Sequence, residues 1–218
     1  LVHKTAWHIP PEVHFAEAAL AEPLACCIRS LRACRFTPGQ AVLVAGAGIM
    51  GLLHVLIAQA WGARRVLVSE PHAGRRARAQ ALGAQAFDPT QGDLRTWAQQ
   101  AAGRLGPEIV IAAVGSARAV ESVIDSAAPG GTVHVFGGLP KDTLLSIPAY
   151  TIHYREVSLV GTSGFQTGDY RLAAEMLAGR TLDVRPLISA QLPLEKTQDA
   201  LRLAADLASL KVVVGTDA

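Results

Sequence analysis

Ala41-Val42-Leu43-Val44-Ala45 runs directly into Gly46-Ala47-Gly48-Ile49-Met50-Gly51. Five consecutive apolar residues behind the turn signal Thr37-Pro38-Gly39-Gln40 read as a strand buried on both faces. The apolar segment Ile49–Trp61 that follows reads as a helix stopped by Gly62. Between such a strand and such a helix, each of the three glycines has a separate duty. Gly46 permits the tight turn, Gly48 lets the backbone approach a phosphate, and Gly51 lets the helix lie close to the strand. The first-turn N–H groups and the positive end of the helix dipole then face an anion. The competing reading is an ordinary glycine turn in an α/β sheet, and the next strand argues against it.

That strand, Arg65–Ser69, ends at Glu70, 19 positions after Gly51. A carboxylate there can accept hydrogen bonds from both adenosine ribose hydroxyls and would repel a 2′-phosphate, so NAD is expected over NADP. Arg75 pulls the other way, because an arginine nearby can accommodate that phosphate. The alternative for Glu70 is a solvated charge at a strand end.

Strand and helix signals alternate onward: helix Ala73–Leu82, strand Ala86–Asp88, helix Asp93–Gly103, strand Glu108–Val114, helix Ser116–Ala128 and strand Thr132–Phe136. A sixth strand, Val157–Val160, follows the loose stretch Leu139–Arg155. This alternation predicts an α/β fold with a doubly wound parallel sheet in the order 3-2-1-4-5-6. Ahead of it, Pro11–Ala19 reads as a short helix, and Glu22-Pro23 opens a helix over Leu24–Cys34. Behind it come helices over Gly168–Ala178 and Leu194–Ala208 and a closing strand Leu210–Val214, a pattern that returns to another domain instead of adding a seventh repeat.

Bulk properties exclude several classes. The 218 residues are 50% hydrophobic and 17% charged, with a net charge of +2, so no polyanion partner is implied. Arg75, Arg76 and Arg78 read as one solvated helix face and not as a nucleic-acid patch. No apolar run reaches the roughly 18 residues a membrane span needs, since Ala41–Trp61 is broken by Gly46, Gly48, Gly51, His54 and Gln59. No secretory signal opens the chain. Cys26, Cys27 and Cys34 form no C-x-x-C pair, which fits reduced thiols in a cytoplasmic protein. The first residue is Leu1, so a cleaved chain, a trimmed chain or a piece of a longer one is expected. His3, His8 and His14, spaced five and six apart, place no pair on one helix face. His54 reads as packed in its helix, His134 as a strand-core residue and His72 as a loop residue; none reads as a metal ligand.

The order of motifs resembles the medium-chain dehydrogenase/reductase superfamily, in particular its zinc-dependent branch of sorbitol, threonine and alcohol dehydrogenases. The resemblance rests on Glu22-Pro23-Leu24-Ala25-Cys26, Pro38-Gly39, Gly46–Gly51, Leu82-Gly83-Ala84, Gly130-Gly131-Thr132, Ile152-His153-Tyr154 and Lys211-Val212-Val213-Val214. It implies a Rossmann domain over 24–164 inserted in a GroES-like catalytic domain. Of that second domain, residues 1–23 would be a remnant and linker and 165–218 the C-terminal piece. Glu22 matches a zinc ligand of the family, and the other ligands would lie in a segment with no counterpart here. Zinc would therefore be held only in a full-length protein. The catalytic residues themselves remain unassigned. The resemblance also implies backbone contacts to the cofactor: Met50 to the pyrophosphate, Val114 and Gly115 on the adenine side, Phe136, Gly137 and Gly138 along the nicotinamide, and Ser163 and Gly164 to its carboxamide. Glu70 and Arg75 would hold the adenosine ribose.

The implied function is zinc-assisted hydride transfer from a secondary alcohol or polyol to NAD, in a cytoplasmic homo-oligomer without nucleic-acid or membrane partners. One alternative is a zinc-free reductase of the same superfamily using NADPH on enones or quinones. Another is a truncated module that binds NAD without turnover.

Overall fold

The computed structural model describes residues 7–103 and 105–215. The chain divides into two units, one built from its two ends with inner bounds at Arg29 and Gly164, the other from Ser30–Ser163. α1 (Phe15–Ala18) and most of α2 (Ala21–Ala33) belong to the first, and the division falls inside α2.

The central unit is a six-stranded sheet. Its strands are β1 (Ala41–Ala45), β2 (Arg65–Ser69), β3 (Gln85–Phe87), β4 (Ile109–Ala112), β5 (Thr132–Val135) and β6 (Ser158–Gly161). They lie in the order β3-β2-β1-β4-β5-β6, all parallel, as the alternation predicts. All five residues of β1 are buried, because a strand at the centre of a doubly wound sheet has helices on both faces. Register aligns Leu43 with Leu67 and with Val110, Val110 with Val133, and Val133 with Leu159, a continuous apolar row across the sheet. The connecting helices are α3 (Ile49–Ala60), α4 (Ala73–Ala81), α5 (Leu94–Ala102) and α6 (Ala117–Ile124).

Local chemistry sets their ends. Asp93 caps α5 by accepting from the Thr96 N–H at 2.7 Å, and Gly103 closes it at φ 64°. Ser116 caps α6 through the Ala119 N–H at 3.3 Å. Beyond α6, the Arg155 guanidinium pairs with Asp125 at 3.0 Å and donates to the Asp125 and Ala127 carbonyls. It satisfies helix-end acceptors that are otherwise orphaned. Arg155→Ala should therefore lower the unfolding free energy by about 1–3 kcal/mol in urea titration. A midpoint equal to wild type would refute this account of the helix end.

Several boundaries differ from the sequence reading. Helix α2 starts at Ala21, so Glu22 and Pro23 lie within its first turn instead of ahead of it. The loose stretch contains α7 (Ala149–His153), a single turn begun by Pro148. The first helix shrinks to four residues because Pro10-Pro11 leave only a turn before it.

In the terminal unit, α8 (Thr167–Ala178) begins with a reciprocal cap, the Gln166 N–H donating to Asp169 at 2.9 Å. A two-stranded parallel sheet follows, β7 (Ile188–Pro193) and β8 (Lys211–Gly215), joined by α9 (Thr197–Ala205). The expected helix over 194–208 is shorter, opening as a 3-10 turn over Leu194–Lys196 and ending at Ala205. No helix among the described residues is long and apolar enough to cross a membrane.

Candidate functional site

The site lies where loops leave the C-terminal ends of the central strands. In an open α/β sheet that edge, at the point where strand order reverses between β1 and β4, forms a crevice. Gly46 follows β1 at φ 96°, in the left-handed region that only glycine enters cheaply. A side chain there would also meet the Ala113 carbonyl oxygen at 2.7 Å and Val114 Cγ1 at 3.2 Å. Its N–H donates to the Ser69 carbonyl at 2.8 Å. Gly51 lies in the first turn of α3, where a Cβ would stand 1.9 Å from the Gly46 oxygen. Gly48 differs from both: it is the N-cap of α3, and a Cβ there would meet nothing within 4 Å. Two glycines are therefore required by crowding within the protein, and the third borders open space at a helix N-terminus. That cradle suits a pyrophosphate.

The other loops converge on the same edge. A Cβ on Gly137 would stand 1.9 Å from the Val114 oxygen, so the loop after β5 lies directly on the loop after β4. Gly115 and Gly138 border open space. Ser163 follows β6 within the same unit. Gly164, at φ 64°, and Glu22 belong to the terminal unit.

Glu70 is 5% exposed. One carboxylate oxygen accepts from the Ala47 N–H at 2.8 Å and the other from the His72 N–H at 2.9 Å. Sequence reasoning assigned this carboxylate to ribose hydroxyls and had no means of finding its backbone partners. Arg75 is half-buried on α4. Its neighbour Arg76 ties the corner together, donating to the Glu70 carbonyl at 2.9 Å and pairing with Asp88 at 3.0 Å.

Behind Phe136 lies a cluster that the sequence did not reveal. His54 and His134 are both fully buried. Each ring packs on Phe136, with centroids 4.6 Å and 5.9 Å away. His54 Nδ1 donates to the Met50 carbonyl at 2.8 Å, which leaves Nε2 as an acceptor with no protein partner. His134 Nε2 meets Thr162 Oγ1 at 3.1 Å, and its Nδ1 has no protein partner. Burial pushes both imidazoles down to about 4. The two share the Phe136 ring, but 80 positions separate them in the chain.

The remaining candidates give no metal centre. Glu22 is exposed, and one of its carboxylate oxygens accepts from the Cys26 thiol at 3.4 Å. Burial, then the Glu22 charge, pushes that thiol up to about 11. Burial alone pushes Cys34 up to about 12, and burial, then the neighbouring Cys26 and Glu22, raises Cys27 well above its ordinary value. None of the three cysteines forms a disulfide. Among the described residues no group of three or more His, Cys, Asp or Glu side chains could hold a metal ion, and His3 lies outside them. A catalytic zinc needs about three protein ligands and an open position. The described residues do not fit one.

Comparison with known proteins agrees with this geometry. The family profile described as zinc-binding dehydrogenase matches residues 50–179. Sorbitol dehydrogenase of Rattus norvegicus is 34% identical over 215 residues, covering 97% of this chain and 59% of the relative. A zinc-binding dehydrogenase from Sinorhizobium meliloti 1021, solved with NADP bound, superposes with a TM-score of 0.87 at 30% identity, over 97% of this chain and 62% of that one. The alcohol dehydrogenase TADH from Thermus sp. ATN1 gives 0.89 at 26% identity, over 95% and 60%. The chain thus spans about 60% of the length of the relatives it matches. The glycine cradle at the strand edge, the sheet order and these likenesses together place the chain in the zinc-binding dehydrogenase family of the medium-chain dehydrogenase/reductase superfamily.

Proposed function

We propose that this chain is the cofactor-binding part of a nicotinamide-dependent oxidoreductase that, as a whole protein, oxidises a secondary alcohol or polyol, with NAD as the preferred cofactor. In this reading residues 24–164 are the cofactor domain, and 1–23 and 165–218 are parts of a catalytic domain. Zinc belongs to the whole protein, with Glu22 as the donor contributed from here. The carrying observation is the open space at Gly48, at the N-terminus of α3, set between two glycines that packing alone explains. When bound, the nicotinamide accepts a hydride from the alcohol carbon.

The protein's own groups bind and orient. First-turn amides of α3, Met50 among them, take the pyrophosphate. Glu70 and Arg75 border the adenosine ribose, and Val114 and Gly115 the adenine. Phe136, Gly137 and Gly138 wall the nicotinamide, and Ser163 and Gly164 meet its carboxamide through the backbone. A carboxylate at Glu70 disfavours a 2′-phosphate by like charge. Cysteines without disulfides fit a reducing compartment such as the cytoplasm, and a homo-oligomer is part of the same reading.

Fluorescence titration should show NADH binding about tenfold tighter than NADPH, a difference of about 1.4 kcal/mol. Equal or tighter NADPH binding would overturn the preference and identify Arg75 as the dominant group. The second reading, an NADPH-dependent reductase, draws support from Arg75 and from the relative solved with NADP.

A further inference from the structure

We infer that Glu70 is a positioning residue for the phosphate loop: its carboxylate acts as a strut that sets the Ala47 amide, and through it the Gly46–Gly51 turn, before any nucleotide arrives. The inference deepens the cofactor-binding reading and rests on it for the ligand. The strut itself is a property of the nucleotide-free chain.

Two successive amides of the turn are tied to the end of β2. The Gly46 N–H reaches the Ser69 carbonyl at 2.8 Å, and the Ala47 N–H reaches Glu70 at 2.8 Å. Ala47 is fully buried, so water cannot take over as acceptor. An amide left unsatisfied there would cost its full desolvation penalty. The strut's far end is rigid. The Glu70 N–H donates to the Phe87 carbonyl at 3.0 Å, its own carbonyl is held by Arg76, and the second carboxylate oxygen holds the His72 N–H at the start of α4. A carboxylate has about four acceptor positions. Two are committed to backbone in the empty protein, and the remaining two are what a ribose could use.

A strut and a simple ribose reader predict opposite signs for a ligand without ribose hydroxyls. A carboxylate near the cradle repels phosphate, so removing its charge alone should tighten such a ligand. Removing a strut should weaken it, because the loop amides lose their preset arrangement. The probe is 2′,3′-dideoxy-ADP. Two variants separate charge from reach: Glu70→Met keeps the length and loses both the charge and the acceptor oxygens, and Glu70→Asp keeps the charge and falls short of Ala47.

Calorimetric titration should show dideoxy-ADP weakened by about fivefold to thirtyfold in both variants, the range for losing one charge-assisted hydrogen bond. Unchanged or tighter binding in either variant overturns the proposal. Amide hydrogen exchange on the nucleotide-free protein supplies the second readout. Ala47 should be protected in wild type and should lose that protection in both variants, while Leu43 and Val110 in the sheet report any general loss of stability. An unprotected Ala47 amide in wild type also overturns it. Should wild type bind neither NADH nor ADP, the cofactor-binding reading fails, and the exchange data still decide whether the strut exists.

Discussion

Gly51→Ala is expected to destabilise the protein by about 3 kcal/mol or more and to abolish nucleotide binding. Two effects oppose each other at this position. Alanine inside a helix is about 1 kcal/mol better than glycine, so propensity alone predicts a more stable protein. The added methyl, however, would stand 1.9 Å from the Gly46 carbonyl oxygen and 2.9 Å from its carbon. Those are backbone atoms, pinned by the Gly46–Ser69 hydrogen bond and by a φ of 96°. Helix α3 would have to move away from β1 by about an ångström, opening a gap across a close-packed interface. The clash wins. Gly48→Ala is the control, because a methyl there meets nothing. It should leave the urea midpoint unchanged and weaken NADH by about tenfold, about 1.4 kcal/mol, by occupying the cradle. Wild-type stability for Gly51→Ala, or full NADH affinity for Gly48→Ala, would contradict these assignments.

Acid is expected to destabilise the central unit from about pH 6.5 downward. His54 and His134 are pushed down to about 4 in the folded protein, against an ordinary value of 6.5. Between those values the unfolded chain binds more protons than the folded one, so stability falls as pH falls. The contribution is fully present above about pH 6.5 and is lost progressively down to about pH 4. Each imidazole accounts for about 2–3 kcal/mol over that window, a large share of the stability of a single domain. Asp88, Asp93 and Asp183 are held below their ordinary value of 3.8, chiefly by hydrogen bonds from Thr90, Thr96 and Arg185 respectively, and they add losses only at lower pH. Urea unfolding at pH 7.5, 5.5 and 4.5 should show the decline, and His54→Leu with His134→Val should flatten it. A double variant with the wild-type pH profile would assign the acid sensitivity elsewhere.

Much of the architecture was legible because apolar runs and glycines carry it directly. β1 is an unbroken apolar run, and the turn after it needs glycine at fixed positions. β7 was missed for a physical reason: Ile188–Pro193 carries no continuous apolar run, is only partly buried and ends in proline. α7 escaped notice because one helical turn leaves no periodicity to read. At the site, the glycines and the acidic residue after β2 were found from spacing. Their partners were not, because the direction of the Glu70 side chain and the meeting of His54 with His134 depend on how α3 lies on the sheet. Neither is a local property of the sequence.

The three native thiols have a practical consequence. With Cys26 held at about 11, only a small fraction of its thiol is ionised at pH 7.5. Cys34 and Cys27 are buried, and burial raises both thiols well above their ordinary value. Maleimides and iodoacetamides react with thiolates, so the native side chains are poor competitors for such reagents. A cysteine placed in the exposed loop at Asp142 would take a fluorophore or spin label selectively in the otherwise unaltered protein, and distance measurements could begin without first constructing a cysteine-free background.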